Sequence, residues 1–167
     1  MKRMYAPWRY TWIQESKDGV EECFLCDALE APVERDRELL LLHRGGKGFI
    51  ILNRYPYSNG HLMVAPNRHV SDLRELTEEE WREIGELTNL SLAILEKAIQ
   101  PHGFNLGWNL GRVAGAGLEE HLHLHVVPRW EGDTNFMPVV GESKVISQDL
   151  WESYDQLHLA CKQLISG

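Results

Sequence analysis

Residues 121–127 read HLHLHVV, with a histidine at every second position. In an extended chain successive side chains alternate between faces, so His121, His123 and His125 share one face and Leu122, Leu124 and Val126 the other. Burial of the apolar set holds that register, because a one-residue slip would turn every imidazole to the opposite side. Imidazole offers two kinds of chemistry: it ligates metals, and its pKa of about 6.5 makes it a nucleophile or acid–base group at neutral pH. Same-face neighbours lie about 7 Å apart, whereas zinc–nitrogen bonds are about 2 Å, so three rings on one straight strand converge poorly on one ion. A divided arrangement, one ring on a metal and another on a substrate, is easier. The second cluster is 23-CFLC-26, with Cys161 isolated in a later helical pattern. In a reducing compartment a CxxC pair means metal or redox chemistry more often than a structural disulfide.

These residues need a sheet to hold them. Glu38–His43, Gly48–Asn53 and Gly60–Pro66 read as three strands separated by the turns RGGKG and RYPYSNG. Connections that short leave only antiparallel pairing. Thr77 and Glu80 form a capping-box signature that opens a long helix near residues 78–99. Its apolar stripe is Trp81, Ile84, Leu87, Ser91, Ile94, Leu95 and Ala98. Phe104–Leu110 and Leu122–Val127 supply the fourth and fifth strands, flanking the loop GRVAGAGLEE. A second helix fits Gln148–Ile165, with Ser147 as its cap and a stripe of Leu150, Tyr154, Leu157, Cys161 and Leu164. The pattern predicts an α+β domain: a central five-stranded, mainly antiparallel sheet with a long helix and a C-terminal helix. Residues 1–20, where Trp8, Tyr10 and Trp12 alternate, read as an N-terminal arm, 21–155 as the domain, and 156–167 as the end of the C-terminal helix.

Composition narrows the function. With 167 residues, 43% hydrophobic and 25% charged, the chain suits one soluble domain with its own core. A formal charge of −8 argues against non-specific nucleic-acid binding but allows an anionic substrate held by local donors. No apolar run is long enough to span a membrane. The opening MKRMYAPWRYTWIQ lacks the apolar core of a signal peptide, so a cytoplasmic location is expected.

The run HLHLHVV resembles the signature of the histidine triad (HIT) superfamily of nucleotide hydrolases and transferases. The stretch 53-NRYPYSNGHLMVAPNRH-69 resembles the family's nucleoside-binding strand and loop. The segments 128-PRWEGDTNFM-137 and 141-GESKVI-146 resemble its bacterial diadenosine tetraphosphate phosphorylase branch. The resemblance implies that His123 is a nucleophile that attacks an α-phosphorus, and that water or phosphate then discharges the nucleotidyl-imidazole. It sets His125 beside that phosphate, Asn109 near the phosphates and Asn53 on the ribose hydroxyls, with Ile51 and Leu52 bordering the base. Gly115 and Gly117 precede the triad, and their backbone N–H groups suit a phosphate. Relatives often carry a hydroxyl or amide in this loop where this chain has GAGLEEH, so the leaving-group donor stays open. Arg129, Lys144 and Arg112 are candidate donors to an acceptor phosphate. His61 opens the third strand and reads either as a residue supporting the site from behind or, by slight preference, as a plain strand-edge histidine.

Resemblance to the related uridylyltransferases implies a structural zinc held by Cys23, Cys26, His69 and His121, an S₂N₂ set that zinc favours. The expected reaction is cleavage of diadenosine tetraphosphate to ADP and ATP with phosphate as acceptor. The alternatives are a water-using dinucleoside polyphosphate hydrolase or a nucleoside phosphoramidase. The implied partners are a nucleotide, inorganic phosphate or water, and a second copy in a homodimer, with no nucleic acid and no membrane.

Overall fold

The computed structural model describes residues 23–133 and 148–166. In chain order its elements are α1 (Phe24–Glu30), α2 (Asp36–Leu39), β1 (Leu41–Arg44), β2 (Gly48–Leu52), β3 (Leu62–Pro66), α3 (Glu78–Ile99), β4 (Gly103–Trp108), β5 (Leu124–Arg129) and α4 (Leu150–Ile165). The strands form one sheet in the order β1-β2-β3-β5-β4, and every neighbouring pair is antiparallel. The α+β class, the five strands and the two main helices match the expectation from sequence. The N-terminal arm lies outside the described residues.

Strands β2 and β3 are buried along their whole length, which is why they read as continuous apolar runs rather than alternating ones. Helix α3 packs across β2, β3 and β5, and α4 packs on α3 and β1. Gly60 shows how tightly this side closes. Its φ is +75°, and a Cβ there would sit 2.6 Å from Cδ1 of Ile99.

The capping box at Thr77 forms with both of its hydrogen bonds. The buried stripe of α3 is Ile84, Leu87, Thr88, Ser91, Ile94 and Leu95. Trp81, expected in that stripe, is 42% exposed and stands edge-on to Trp108 at 6.3 Å between centroids. It follows the buried Glu80 and is turned about 100° from it around the axis.

Helix α4 starts two residues later than expected, and its cap is Asp149, whose carboxylate accepts from the backbone N–H groups of Trp151 and Glu152. Ser147 lies outside the described residues. Tyr154, Leu157 and Cys161 are buried as expected, while Leu164 in the last turn is exposed. The Tyr154 hydroxyl donates to the Leu41 carbonyl at 2.8 Å and ties α4 to β1.

With α3 and α4 packed together on one face, the other face of the sheet is left for the site. Register sets its row: Ile51 of β2 lies opposite Met63 of β3, and Met63 lies opposite His125 of β5.

Candidate functional site

Cys23 is the N-cap residue of α1 and Cys26 follows three residues on, so both thiols lie on one side of the helix. His69 comes from the loop after β3, and His121 from the run into β5. Cys23 Sγ is 3.2 Å from His121 Nδ1; Cys26 Sγ is 3.2 Å from His69 Nδ1 and 3.4 Å from His121 Nδ1. All four ligand atoms lie within 4.8 Å of one another. An ion with tetrahedral bonds of about 2.0–2.3 Å separates its ligands by roughly 3.3–3.8 Å, so the four atoms are close to the spacing a bound ion requires.

His121 Nε2 donates to the Pro66 carbonyl at 2.8 Å, which puts the ring proton there and leaves the Nδ1 lone pair facing the thiols. Burial, opposed by that hydrogen bond and reinforced by His69 and His123, pulls the pKa of His121 down to about 4. Burial and the neighbouring Cys23 push the Cys26 thiol up to about 12. All three cysteines are free thiols. Two soft sulfurs and two imidazoles fit a closed tetrahedral metal centre.

Next to this cluster stand the other two triad histidines, 4.9 Å apart between ring centroids and edge-on. His123 Nδ1 donates to the backbone carbonyl of His121 at 2.8 Å, which leaves Nε2 with the lone pair. Burial lowers the pKa of His123 and keeps the ring neutral, against the opposing effect of the carbonyl. A neutral imidazole with one nitrogen tied and the other available is the nucleophilic form.

His125 is held by a chain of bonds that starts in the β2–β3 loop. The Tyr57 backbone N–H donates to His61 Nδ1 at 3.1 Å, so the proton of a neutral His61 sits on Nε2. That nitrogen lies 2.9 Å from His125 Nδ1, which therefore accepts, and the proton of His125 is placed on Nε2. The Asn109 amide lies 3.2 Å from His125 Nε2; its oxygen must be the atom presented there if the bond is to form.

His61 is thus not a plain strand-edge histidine. It is fully buried and bonded to His125. The alternation that defines the triad carried the signal, because His61 shares a face with Met63, which pairs with His125.

A cavity of about 400 Å³ opens over this face. His123 and His125 line one end, with Gly115 and Gly117. Gly115 has a φ of +94°, a conformation that requires glycine. Met63, Ile51, Leu52 and Asn53 of the sheet also line it, with Leu40 and, from α1, Phe24 and Asp27. From β5 to β1 is three strand spacings, roughly 14 Å, a length comparable with an extended mononucleotide. Asn53 faces the cavity and also caps its own loop, accepting from Tyr55 N–H at 2.9 Å.

Of the cations expected to bind phosphate, Arg129 and Arg112 do not line the cavity. Arg129 is four residues beyond His125, about 13 Å along the strand, and does not line the cavity. Its guanidinium is held by Asp133 at 2.6 and 2.8 Å and by Asn105 at 2.7 Å. Arg112 is exposed beside Glu119, and Lys144 lies outside the described residues. Arg54 does line the cavity, together with Tyr57, Phe24 and Asp27, and the sequence reading picked out none of these four. Phe24 and Asp27 were legible only as neighbours of the CxxC cysteines.

The HIT domain model matches residues 41–132. A Mycobacterium tuberculosis protein named AP-4-A phosphorylase is 42% identical over 152 residues, covering 89% of this chain and 78% of that one. Among solved structures, a zinc-bound histidine triad family protein from Mycobacterium smegmatis superposes with a TM-score of 0.68 at 26% identity, covering 89% of this chain and 99% of the other. A histidine triad nucleotide-binding protein from Sulfolobus tokodaii superposes with a TM-score of 0.65 at 28% identity, covering 86% and 92%.

Proposed function

The chain belongs to the HIT domain family of nucleotide-acting enzymes, and from that premise we propose that it cleaves diadenosine tetraphosphate through a covalent His123 adduct, with phosphate as acceptor. The observation that carries this reading is the tethering of His123. Nδ1 is fixed on the His121 carbonyl, which leaves Nε2 to the cavity of about 400 Å³ that His123 lines. In the first step Nε2 attacks the α-phosphorus, a P–N bond forms, and the P–O bond to the departing ATP breaks. In the second step a phosphate oxygen attacks the same phosphorus, the P–N bond breaks with its electron pair returning to Nε2, and the adenylyl group leaves joined to the phosphate as ADP. When nucleotide binds, His125 Nε2–H turns from the Asn109 oxygen to a phosphate oxygen, Asn109 donates through its amide N–H groups, and the backbone at Gly115 and Gly117 flanks the phosphate. Asn53 accepts from the ribose hydroxyls, and Ile51 and Leu52 contact the base.

The substrate assignment is supported by the 42% identity to the Mycobacterium tuberculosis phosphorylase. Arg129 is not part of this reading, because its guanidinium is committed to Asp133 and Asn105. Incubation with diadenosine tetraphosphate, with and without inorganic phosphate, tests the acceptor. ADP formed only with phosphate identifies the phosphorylase. AMP formed under both conditions identifies a hydrolase.

Cys23, Cys26, His69 and His121 would hold a structural zinc, supported by their spacing and by the zinc-bound relative. With four protein ligands the ion has no open position, so it pins α1 to the sheet without taking part in the reaction. Free thiols suit a reducing cytoplasm, and no helix among the described residues is long and apolar enough to cross a membrane. We read residues 21–155 and the helix end 156–167 as one domain, with 1–20 as an arm. The open edge of β4, with Leu106, Leu110 and Val113 exposed beside it, suits a second copy in a homodimer.

A further inference from the structure

Helix α1 has only seven residues, too few to be stable alone. It is held at both ends. Cys23 and Cys26 secure its start to His121 and His69. At its other end the Arg44 guanidinium donates to the carbonyls of Ala28, Leu29 and Ala31, at 3.1, 2.5 and 2.9 Å, and pairs with Asp36. A short helix fixed this way presents a defined face. Phe24, Asp27 and Ala28, at i, i+3 and i+4, form that face and line the cavity. Leu25 points the other way, into the core.

Asp27 is the one carboxylate among the described residues that line the cavity. Among the described residues no hydrogen bond or ion pair holds its side chain. A carboxylate beside a polyphosphate would repel it. Asp27 belongs to α1, which packs on β1, three strands across the sheet from His125 on β5, so it stands on the side of the cavity away from the His123–His125 pair. With phosphate at the histidines, the group that reaches Asp27 is the base. Phe24 offers an apolar surface to a planar ring, and Asp27, one turn along, offers an acceptor to its polar edge.

We infer that Asp27 is a specificity-determining residue that accepts a hydrogen bond from the exocyclic amino group of the bound purine. This rests on reading the cavity as a nucleotide site. It assigns base discrimination to the CxxC helix, a place where the triad chemistry needs no residue.

The test compares binding of AMP with purine riboside 5′-monophosphate, the same nucleotide without the 6-amino group. Titrations use the full-length protein with its metal. Wild type should favour AMP by about tenfold, the scale of one hydrogen bond to a charged acceptor. In Asp27→Ala the preference should fall to within about twofold, and in Asp27→Asn it should be intermediate. Metal content and melting temperature should not change, since the site is exposed and alanine favours helix. An equal preference in wild type and Asp27→Ala overturns the inference. Failure of wild type to bind either nucleotide overturns it together with the proposed function. A wild type that shows the Asp27-dependent preference but does not turn over diadenosine tetraphosphate overturns the proposed function and leaves base recognition by Asp27 standing.

Discussion

Replacing Cys26 with serine removes one of the two soft ligands and leaves His121, His69 and Cys23 around an incomplete centre. The consequence can be scaled from linkage. A metal that binds only the folded chain stabilises it by about 1.4 kcal/mol per tenfold rise in free metal above Kd, and by about 4 kcal/mol at a thousandfold excess. For a chain of 167 residues each kcal/mol moves the melting temperature by about 2–4 °C. Wild type should therefore gain roughly 3–6 °C per decade of free zinc and roughly 8–16 °C over three decades. Cys26→Ser should show a shallow slope or none. The assay is thermal unfolding in metal buffers of stated free zinc.

The thiol adds a pH signature. In the metal-free protein Cys26 is pushed up to about 12, above the value of about 8.5 expected in an unfolded chain. Its neutral form therefore stabilises the metal-free fold below about pH 8.5, and that contribution is lost as pH rises from there toward about 12. The zinc-loaded protein already carries a thiolate and should lack this alkaline decline. Zinc binding at pH 7 should release the Cys26 proton, seen by calorimetry in two buffers of different ionisation enthalpy. A wild-type melting temperature that stays flat across three decades of free zinc would refute the metal assignment.

His61→Ala should lower kcat by tenfold or more on the scale of about 10²–10⁴ for positioned acid–base groups, because the His125 proton is no longer fixed on Nε2; His61→Gln, which keeps a donor, should recover part of it in the same steady-state assay. Asp149→Ala should cost about 1 kcal/mol and about 2–4 °C through loss of the α4 cap, read by thermal unfolding. Glu80 is held down to about 2 by Arg68 and by the Thr77 backbone, against opposing burial, so its contribution is complete above about pH 4.3 and is lost as pH falls toward about 2. Glu80→Gln should remove that share of the acid dependence in urea titrations at pH 7 and pH 3.

Much of the fold could be read from the chain because its signals are local. Short turns compel antiparallel pairing, and the capping box at Thr77 is written in four residues. The metal cluster was legible through resemblance, since Cys23 and His121 are 98 residues apart and only packing brings them to 3.2 Å. What stayed hidden depends on tertiary placement. His61 carries no motif, and its role follows from the β3–β5 register that sets Met63 against His125. Arg129 looks like a phosphate ligand by its nearness to the triad, but strand rise carries it away and Asp133 takes its charge. Asp27 resembles any surface acid until α1 is docked over the cavity. Trp81 falls on the helical period, yet the buried side of the first turn is taken by Glu80, and Trp81 is exposed beside Trp108 instead.

The central claim is that His123 carries the nucleotidyl group. Enzyme mixed with diadenosine tetraphosphate in the absence of phosphate should be quenched in alkaline denaturant, where P–N bonds survive, and analysed by intact mass and peptide mapping. The account predicts one adenylyl group on the peptide containing His123, discharged as ADP when phosphate is added before the quench. His123→Ala should show neither adduct nor turnover while keeping its metal. Undiminished turnover in His123→Ala, with no adduct on the wild type at any quench time, would contradict it.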